Sequence, residues 1–244
     1  MELLVTRSIK NGKELHDQQH CHAEGQLFSV QVGVVNVQTA SGRWVLPPGC
    51  LGWVPPWQSH AAASYGPLEA VSHYFDETGS QASMPAALTV VRNTPLMQAL
   101  LDELPKGGTA RSHYLATFAH AFGRLAPMTG FLPMPTHPRL QALVRKLLEQ
   151  PADAADLDDW AQRCNMSRRT LTRRFADETG WSLGQWRQQM RLQCALEQLS
   201  RGLPVTTVAL NCGYQSISAF ITLFRENFDV TPGTWQSNHS PAKT

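Results

Sequence analysis

The chain has 244 residues, 42% of them hydrophobic and 16% charged, which suits one large or two modest globular domains and excludes a disordered polymer. The formal net charge is only +2, but its distribution is uneven: residues 1–136 carry 8 Lys+Arg against 9 Asp+Glu, and residues 137–244 carry 13 against 10. No apolar run approaches the ~20 residues that span a bilayer, and the opening MELLVTRSIKNGKEL lacks the apolar core of a signal peptide, so a cytoplasmic protein without a membrane partner is expected.

Residues 1–92 read as strands. QLFSVQVGVVNVQ, GRWVLPP and CLGWVPP are short apolar runs broken by Gly and Pro, the spacing of an antiparallel sandwich or small barrel. His20 and His22 project to one face of a strand because side chains alternate, and Glu24 and Gln26 share that face. Trp44, Trp53, Trp57 and Phe28 are candidates for the apolar walls of a ligand pocket. Residues 93–125 switch to helical period. Leu96, Leu100, Leu101 and Leu104 form one stripe; Tyr114, Leu115, Phe118 and Phe122 form another. These stripes either pack against the strands or make a dimerisation surface. APMTGFLPMPTHP, 126–138, holds four prolines and reads as an inter-domain linker.

From 139 to 237 the chain reads as helical, with a weak internal repeat; 238–244 is a tail. Leu157, Trp160, Ala161 and Cys164 fall at i, i+3, i+4, i+7, and Val205, Val208, Ala209 and Cys212 repeat that spacing. Asp156, Asp158 and Asp159 suit the start of the first helix, and Pro204 suits the opening of its counterpart. Turns follow at Asn165-Met166 and Gly213-Tyr214, then second helices with Ser167 and Ser216 as expected N-caps. At an offset of 49, Leu171 matches Phe220, Phe175 matches Phe224, Ser182 matches Thr231, Gly184 matches Gly233 and Trp186 matches Trp235. The unit helix, turn, helix, aromatic anchor therefore occurs twice, as two helix-turn-helix units. A long helix over roughly 183–200 joins them. The fold class is thus α+β in two domains: a strand-rich N-terminal half followed by helices, then an all-α C-terminal half.

Seven arginines lie within 163–191 (163, 168, 169, 173, 174, 187, 191) against two acids. Arg supplies a planar fork of donors suited to phosphates and guanine edges. At about 100° per residue, Leu171 and Phe175 share an inner face while Arg169, Thr172, Arg173 and Ala176 gather opposite. In the second copy Ser218, Ile221, Thr222 and Arg225 face outward. The expected duplex-facing set is Ser167, Arg168, Arg169, Thr172, Arg173, Ser216, Ser218, Ile221, Thr222 and Arg225. The five cysteines, Cys21, Cys50, Cys164, Cys194 and Cys212, include no C-x-x-C and read as reduced thiols.

SRRTLTRRFADETGWSLGQWRQQMRLQCALEQL followed by VTTVALNCGYQSISAFITLFRENFDVTPGTW resembles the DNA-binding domain of AraC/XylS transcription regulators. The signature is F-x-x-x-x-G after the first recognition helix, then G-Y-x-S-x-S-x-F-x-x-x-F-R and T-P. The resemblance implies sequence-specific regulation of a double-stranded operator, read in successive major-groove faces about one turn apart. It also implies a homodimer and a small-molecule effector, and no enzymatic activity. Thr222 stands where the family often has a basic residue. The N-terminal half resembles both cupin motifs, through His20, His22, Gln26 and Gly33, then Gly49, Pro55 and His60. Gln26 replaces the usual Glu and Trp57 the usual Gly. That resemblance implies a double-stranded barrel with His20, His22 and His60 converging inside as a metal or effector pocket. The layout is similar to the subgroup that includes the 2-nitroimidazole-responsive regulator. Cofactor identity stays open: a divalent transition metal (Zn, Ni or Fe) at the three histidines, a metal-free ligand pocket, or histidines with a purely structural part. The alternative function is a metal-dependent cupin enzyme, a dioxygenase or isomerase, with an appended helical domain.

Overall fold

The computed structural model describes residues 1–12, 14–128 and 130–239. They form two compact units, one of Met1–Thr39 with Trp44–Gly130, the other of Ala40–Arg43 with the chain from Phe131 onward. The last residues of the expected tail, 240–244, lie outside the described residues.

The strands of this half of the chain are β1 (Leu3–Asn11), β2 (Leu15–His16), β3 (Gly25–Val32), β4 (Val35–Gln38), β5 (Gly42–Leu46), β6 (Cys50–Val54), β7 (Ala61–Ser64), β8 (Leu68–Phe75) and β9 (Thr89–Arg92), all in the first unit except the first two residues of β5. One sheet runs β1-β8-β3-β6-β9 and the other contains β5-β4-β7-β2. The registered pairs β1–β8, β3–β8, β3–β6, β6–β9, β4–β7 and β2–β7 are antiparallel. Strand β3 is buried at six consecutive positions, Gly25–Val30, so clean alternation fails there. The reason is that its sheet is covered on both faces. Phe28, Val30, Val54 and Ala70 pack toward Val35 and Val37 of the second sheet, and Leu27, Leu51, Trp53 and Phe75 pack under helices.

Those helices are α1 (Glu77–Ser83), which strand-like composition hid, α2 (Pro95–Glu103) and α3 (Arg111–Gly123). Asp76 starts α1 by accepting from the Gly79 amide. Leu100, Leu101, Leu104, Leu115, Phe118 and Phe122 are all buried in the core shared with Leu27 and Phe75. Both apolar stripes are therefore consumed by packing against the sheet. The phase of the first stripe also differs from expectation: Met97 is buried and Leu96 is 54% exposed. Starting from Met97, the i, i+3, i+4, i+7 series recovers the true inner face.

The second unit opens with β10 (Phe131–Pro133), inside the segment expected to be a plain linker. Proline abundance misled there: edge strands tolerate Pro where no ladder donor is needed, and the next amide, Met134 N, donates to Ser41 O at 3.0 Å. Helices follow as α4 (Pro138–Glu149), α5 (Leu157–Arg163), α6 (Arg168–Thr179), α7 (Leu183–Ser200), α8 (Val205–Asn211), α9 (Ile217–Phe228) and α10 (Pro232–His239). The pairs α5–α6 and α8–α9 are the two helix-turn-helix units. Asp156 and Asp159 build a capping box at α5. Pro204 sits at the N-cap of α8, not inside its first turn. The turns pass through left-handed Asn165 (φ 50) and Gly213 (φ 78). The repeat extends into the helix ends, where Gly180 (φ 73) and Asp229 (φ 61), 49 residues apart, close α6 and α9 in the same left-handed conformation. Trp160, Leu171, Phe175 and Trp186 are buried in the first copy. Val208, Phe220, Phe224 and Trp235 are buried in the second. Among the described residues no helix is long and apolar enough to cross a membrane.

One buried titratable group makes fold stability depend on pH. His73 on β8 is 3% exposed and its Nδ1 lies 3.0 Å from Thr6 Oγ1. Burial pushes its pKa down to about 4, against a partial opposing pull from the Asp102 charge. The unfolded chain protonates this ring near pH 6.5 and the folded chain does not. Stability is therefore complete above that pH and is lost as pH falls toward 4, by roughly 3 kcal/mol at ~1.36 kcal/mol per unit. Urea melts at pH 7 and pH 4.5 should show that loss, and His73→Gln should flatten it.

Candidate functional site

The first candidate surface lies on the second helix of each repeat. On α6, Leu171, Phe175 and Thr179 are buried and fix the rotation of the helix. Arg169 and Arg173 are then exposed on its far side, and Thr172, half-buried, turns its hydroxyl back to the carbonyls of Arg168 and Arg169 at 3.0 and 3.2 Å. Ser167 is the N-cap, its Oγ accepting from Thr170 N at 3.2 Å. Ser216 does the same for Ala219 N at 3.2 Å on α9. There Phe220 and Phe224 point inward, Ser218, Thr222 and Arg225 are exposed, and Ile221 is half-buried.

The seven arginines divide by burial and partner. Arg187 donates to the carbonyls of Asp153 (2.6 Å) and Ala155 (3.4 Å), and Arg191 donates to Pro151 O at 3.0 Å and lies over Tyr214. Both hold the α4–α5 connection onto α7. Arg163 pairs with Asp153 at 3.0 Å and lies over Trp160. Arg168 pairs with Asp158 at 3.0 Å, both largely exposed, a pair that is weak and readily exchanged for a phosphate. Arg169, Arg173 and Arg174 stand exposed on α6. A count of arginines along the chain cannot separate these groups, because the carbonyls that engage Arg187 and Arg191 lie more than 30 residues away.

The second candidate is a histidine cluster in the first unit. His20 and His60 form an isolated antiparallel bridge, each amide donating to the other's carbonyl at 2.9 Å. The Trp57 amide donates to His22 O at 2.8 Å, and Trp57 adopts φ 61, a left-handed turn that explains why glycine is usual at this place in cupin motifs. The rings of His20, His22 and His60 offer ligand atoms all within 4.8 Å of one another, the one such cluster found among the described residues. Each Nδ1 lies 2.8 Å from a backbone oxygen two residues away, Gln18 for His20, Glu24 for His22 and Gln58 for His60. For His20 and His60 that contact makes Nδ1 the N–H donor of the neutral ring and leaves Nε2 with its lone pair; the His22 ring also meets Gln26 Oε1 through its Nε2. His60 Nε2 is buried without a hydrogen-bond partner. Burial is also the main cause that pulls the His60 pKa below its ordinary value, with the neighbouring His20 and His22 adding to it.

Gln26 is 4% exposed. Its Oε1 lies 3.1 Å from His22 Nε2, and its amide nitrogen donates to Ser72 Oγ at 2.7 Å and Tyr74 OH at 2.9 Å. No motif points to Ser72 and Tyr74; only the register Gln26↔Tyr74 of β3 with β8 brings them in. Glu24 lies behind the His22 ring, its carboxylate 3.8 Å from Nδ1, and so braces that histidine from outside the cluster. Of the aromatics considered as pocket walls, Trp53 is in the core under the helices, Phe28 packs between the sheets, and Trp57 is 57% exposed with Nε1 on Glu77. Trp53 and Trp57 line no pocket beside the histidines, whereas Phe28 lines a small apolar cavity between the sheets together with Val35, Ala62 and Leu68.

A helix-turn-helix domain family model matches residues 160–238, which spans both repeats. The HTH-type transcriptional regulator NimR of Escherichia coli (strain K12) is 28% identical over 228 residues, 91% of this chain and 83% of that protein. The helical unit carries an AraC-type helix-turn-helix domain, and the chain is a DNA-binding transcription regulator. Similarity to the RCS-specific HTH-type transcriptional activator RclR of the same organism is 36% over 101 residues, 41% of this chain and 36% of that protein. Among solved structures, ToxT from Vibrio cholerae aligns over 99% of this chain and 100% of that one, at 10% identity and a TM-score of 0.43. The AraC-type assignment sets aside the cupin-enzyme alternative: the matched relatives are named as regulators, and duplex DNA is the partner of the helical unit.

Proposed function

We propose that this AraC-type regulator reads a specific operator through Arg169 and Arg173 of α6 and responds to an effector held at His20, His22, Gln26 and His60. The observation that carries the DNA half is the paired burial of Leu171/Phe175 and Phe220/Phe224, which turns the opposite, donor-bearing face of each helix outward. The first copy supplies guanine-reading donors; Ser218, Thr222 and Arg225 supply phosphate contacts, and Ile221 packs on a thymine methyl. The chain works in the cytoplasm as a homodimer, which raises occupancy by effective concentration. The α2 and α3 stripes are committed to the core, so the dimer surface lies elsewhere.

The observation that favours a metal effector is the orphaned Nε2 of buried His60 beside two rings pinned through Nδ1. Imidazoles held through Nδ1–H on carbonyls are the usual outer arrangement of a metal site. His20, His22 and His60 fit a borderline cation such as Zn, Ni or Fe, with Gln26 Oε1 as a neutral fourth donor. Binding biases two arrangements of the chain only by its differential affinity for them.

Selection of duplexes from a random pool, with and without Zn or Ni, tests the reading. One enriched sequence whose recovery depends on the ion supports it; enrichment of none overturns it. Arg173→Ala should reduce preference for the selected site over random DNA by about 1–3 kcal/mol, roughly 5- to 150-fold. Equal weakening on both duplexes, measured by titration at fixed salt, would reduce Arg173 to a phosphate contact.

A further inference from the structure

Neither candidate site uses the thiols of Cys194 and Cys212, which face each other in the DNA-binding unit. Cys194 lies midway along α7 and Cys212 caps the end of α8. The two sulfurs share one donor and lie close enough to influence each other's ionisation. The Gln198 amide, one helical turn beyond Cys194, donates to Cys194 Sγ at 3.1 Å and to Cys212 Sγ at 3.7 Å. Gln198 is itself braced, accepting from Asn211 Nδ2 at 2.8 Å. Cys194 is partly exposed and Cys212 is buried. By contrast, Cys50 is buried against Met128, Cys164 is buried near Arg139 O, and Cys21 is exposed in the other unit.

This arrangement is asymmetric. Cys194 accepts from Gln198 at the shorter distance, and its thiolate is favoured and its pKa lowered, with the neighbouring Cys212 thiol the largest cause. The Cys212 pKa is raised, first by the neighbouring Cys194 sulfur and then by burial. The partly exposed sulfur is therefore the better nucleophile, and its neighbour is placed to resolve it.

We propose that Cys194 and Cys212 form an oxidation-sensitive dithiol, converted by a peroxide into an intrachain disulfide that lowers operator affinity. Cys194 thiolate attacks one peroxide oxygen; the O–O bond breaks, hydroxide leaves, and the sulfur becomes a sulfenic acid while the peroxide is reduced. Cys212 then gives up its proton and attacks the Cys194 sulfur; the S–S bond forms, the S–O bond breaks, and water leaves. Two thiols and one hydrogen peroxide yield one disulfide and two waters. An S–S bond of about 2.05 Å is shorter than any non-bonded approach of two sulfurs, so the end of α8 is drawn toward α7. The next residue, Gly213, has no slack to absorb the shift: at φ +78, a Cβ there would lie 2.8 Å from Ala152 Cα and 2.9 Å from the Arg191 guanidinium. The displacement passes on through the turn to α9.

The test uses the full chain carrying Cys21→Ser, so that the exposed thiol makes no intermolecular link. Hydrogen peroxide should remove two of the four remaining thiols, and non-reducing peptide mapping should join the Cys194 and Cys212 peptides. Affinity for a duplex selected from the random pool should fall roughly tenfold and return with dithiothreitol. Cys194→Ser and Cys194→Ala should each bind that duplex as the reduced parent does and ignore peroxide; should either variant fold poorly, the reversible change in the parent still decides the matter. Persistence of all four thiols, a bridge through Cys50 or Cys164, or a Cys194–Cys212 disulfide with unchanged affinity would each overturn the proposal.

Discussion

Trp186→Ala should destabilise the helical unit by about 3–5 kcal/mol, the range for truncating a buried large aromatic. Trp186 is fully buried in the first turn of α7, in edge contact with Phe175 at 6.0 Å between ring centroids. Its indole N–H donates to Pro133 O at 2.7 Å. The substitution removes the ring that wedges α6 against α7 and leaves both a cavity and a carbonyl without its partner. Loss of the hydrogen bond adds a desolvation cost to the packing cost. The same position in the second copy is Trp235, 3% exposed and 6.5 Å from Phe224. Trp235→Ala should cost less, because its ring closes the end of the unit while Trp186 sits at the head of the helix common to both repeats. Helical CD followed through a urea titration separates the two. Equal midpoints for Trp186→Ala and the parent would show that α6 does not depend on this wedge, and with it the rigid presentation of Arg169 and Arg173.

That comparison also shows what a sequence can disclose. The repeat was legible because each copy writes its core as fixed spacings, and a spacing survives even where Leu171 is exchanged for Phe220. The Ser167 and Ser216 caps were legible for a local reason: the hydroxyl and the amide it satisfies are three residues apart. Information that depends on distant chain was not legible. Arg187 resembles Arg173 until the carbonyls of Asp153 and Ala155 are brought beside it. The two stripes of residues 93–125 are apolar whether they meet a sheet or a second chain, and only the sheet's uncovered face decides for packing. In the histidine cluster, alternation placed His20, His22 and Gln26 on one face. His60 joined them through a recognised motif, and Ser72 and Tyr74 through strand register alone.

His60→Ala should lower affinity for Zn or Ni by at least about 100-fold, more than the ~10–100-fold typical of losing an outer-shell partner. The buried ring contributes an unpaired Nε2, and burial keeps it neutral at pH values where an ordinary imidazole is charged. Its removal therefore takes away a ligand for which protons compete less than they do for an ordinary imidazole. A second substitution distinguishes a metal site from a hydrogen-bonded cluster. In Gln26→Glu the hydroxyls of Ser72 and Tyr74, now acceptors from the amide at 2.7 and 2.9 Å, can rotate to donate to a carboxylate. The pocket then keeps its partners and gains a negative charge directed at His22. A cation among the three rings should bind more tightly in Gln26→Glu, and the variant's thermal midpoint should rise further on saturation with Zn than the parent's does. Both variants can be followed by calorimetric titration and by metal content after dialysis. Were the ion bound elsewhere, His60→Ala would titrate like the parent. Were the cluster only hydrogen-bonded, the buried carboxylate of Gln26→Glu would weaken the fold without any compensating gain from the ion. Tighter binding in one variant together with loss in the other is the pattern that a cation held between His20, His22 and His60 requires.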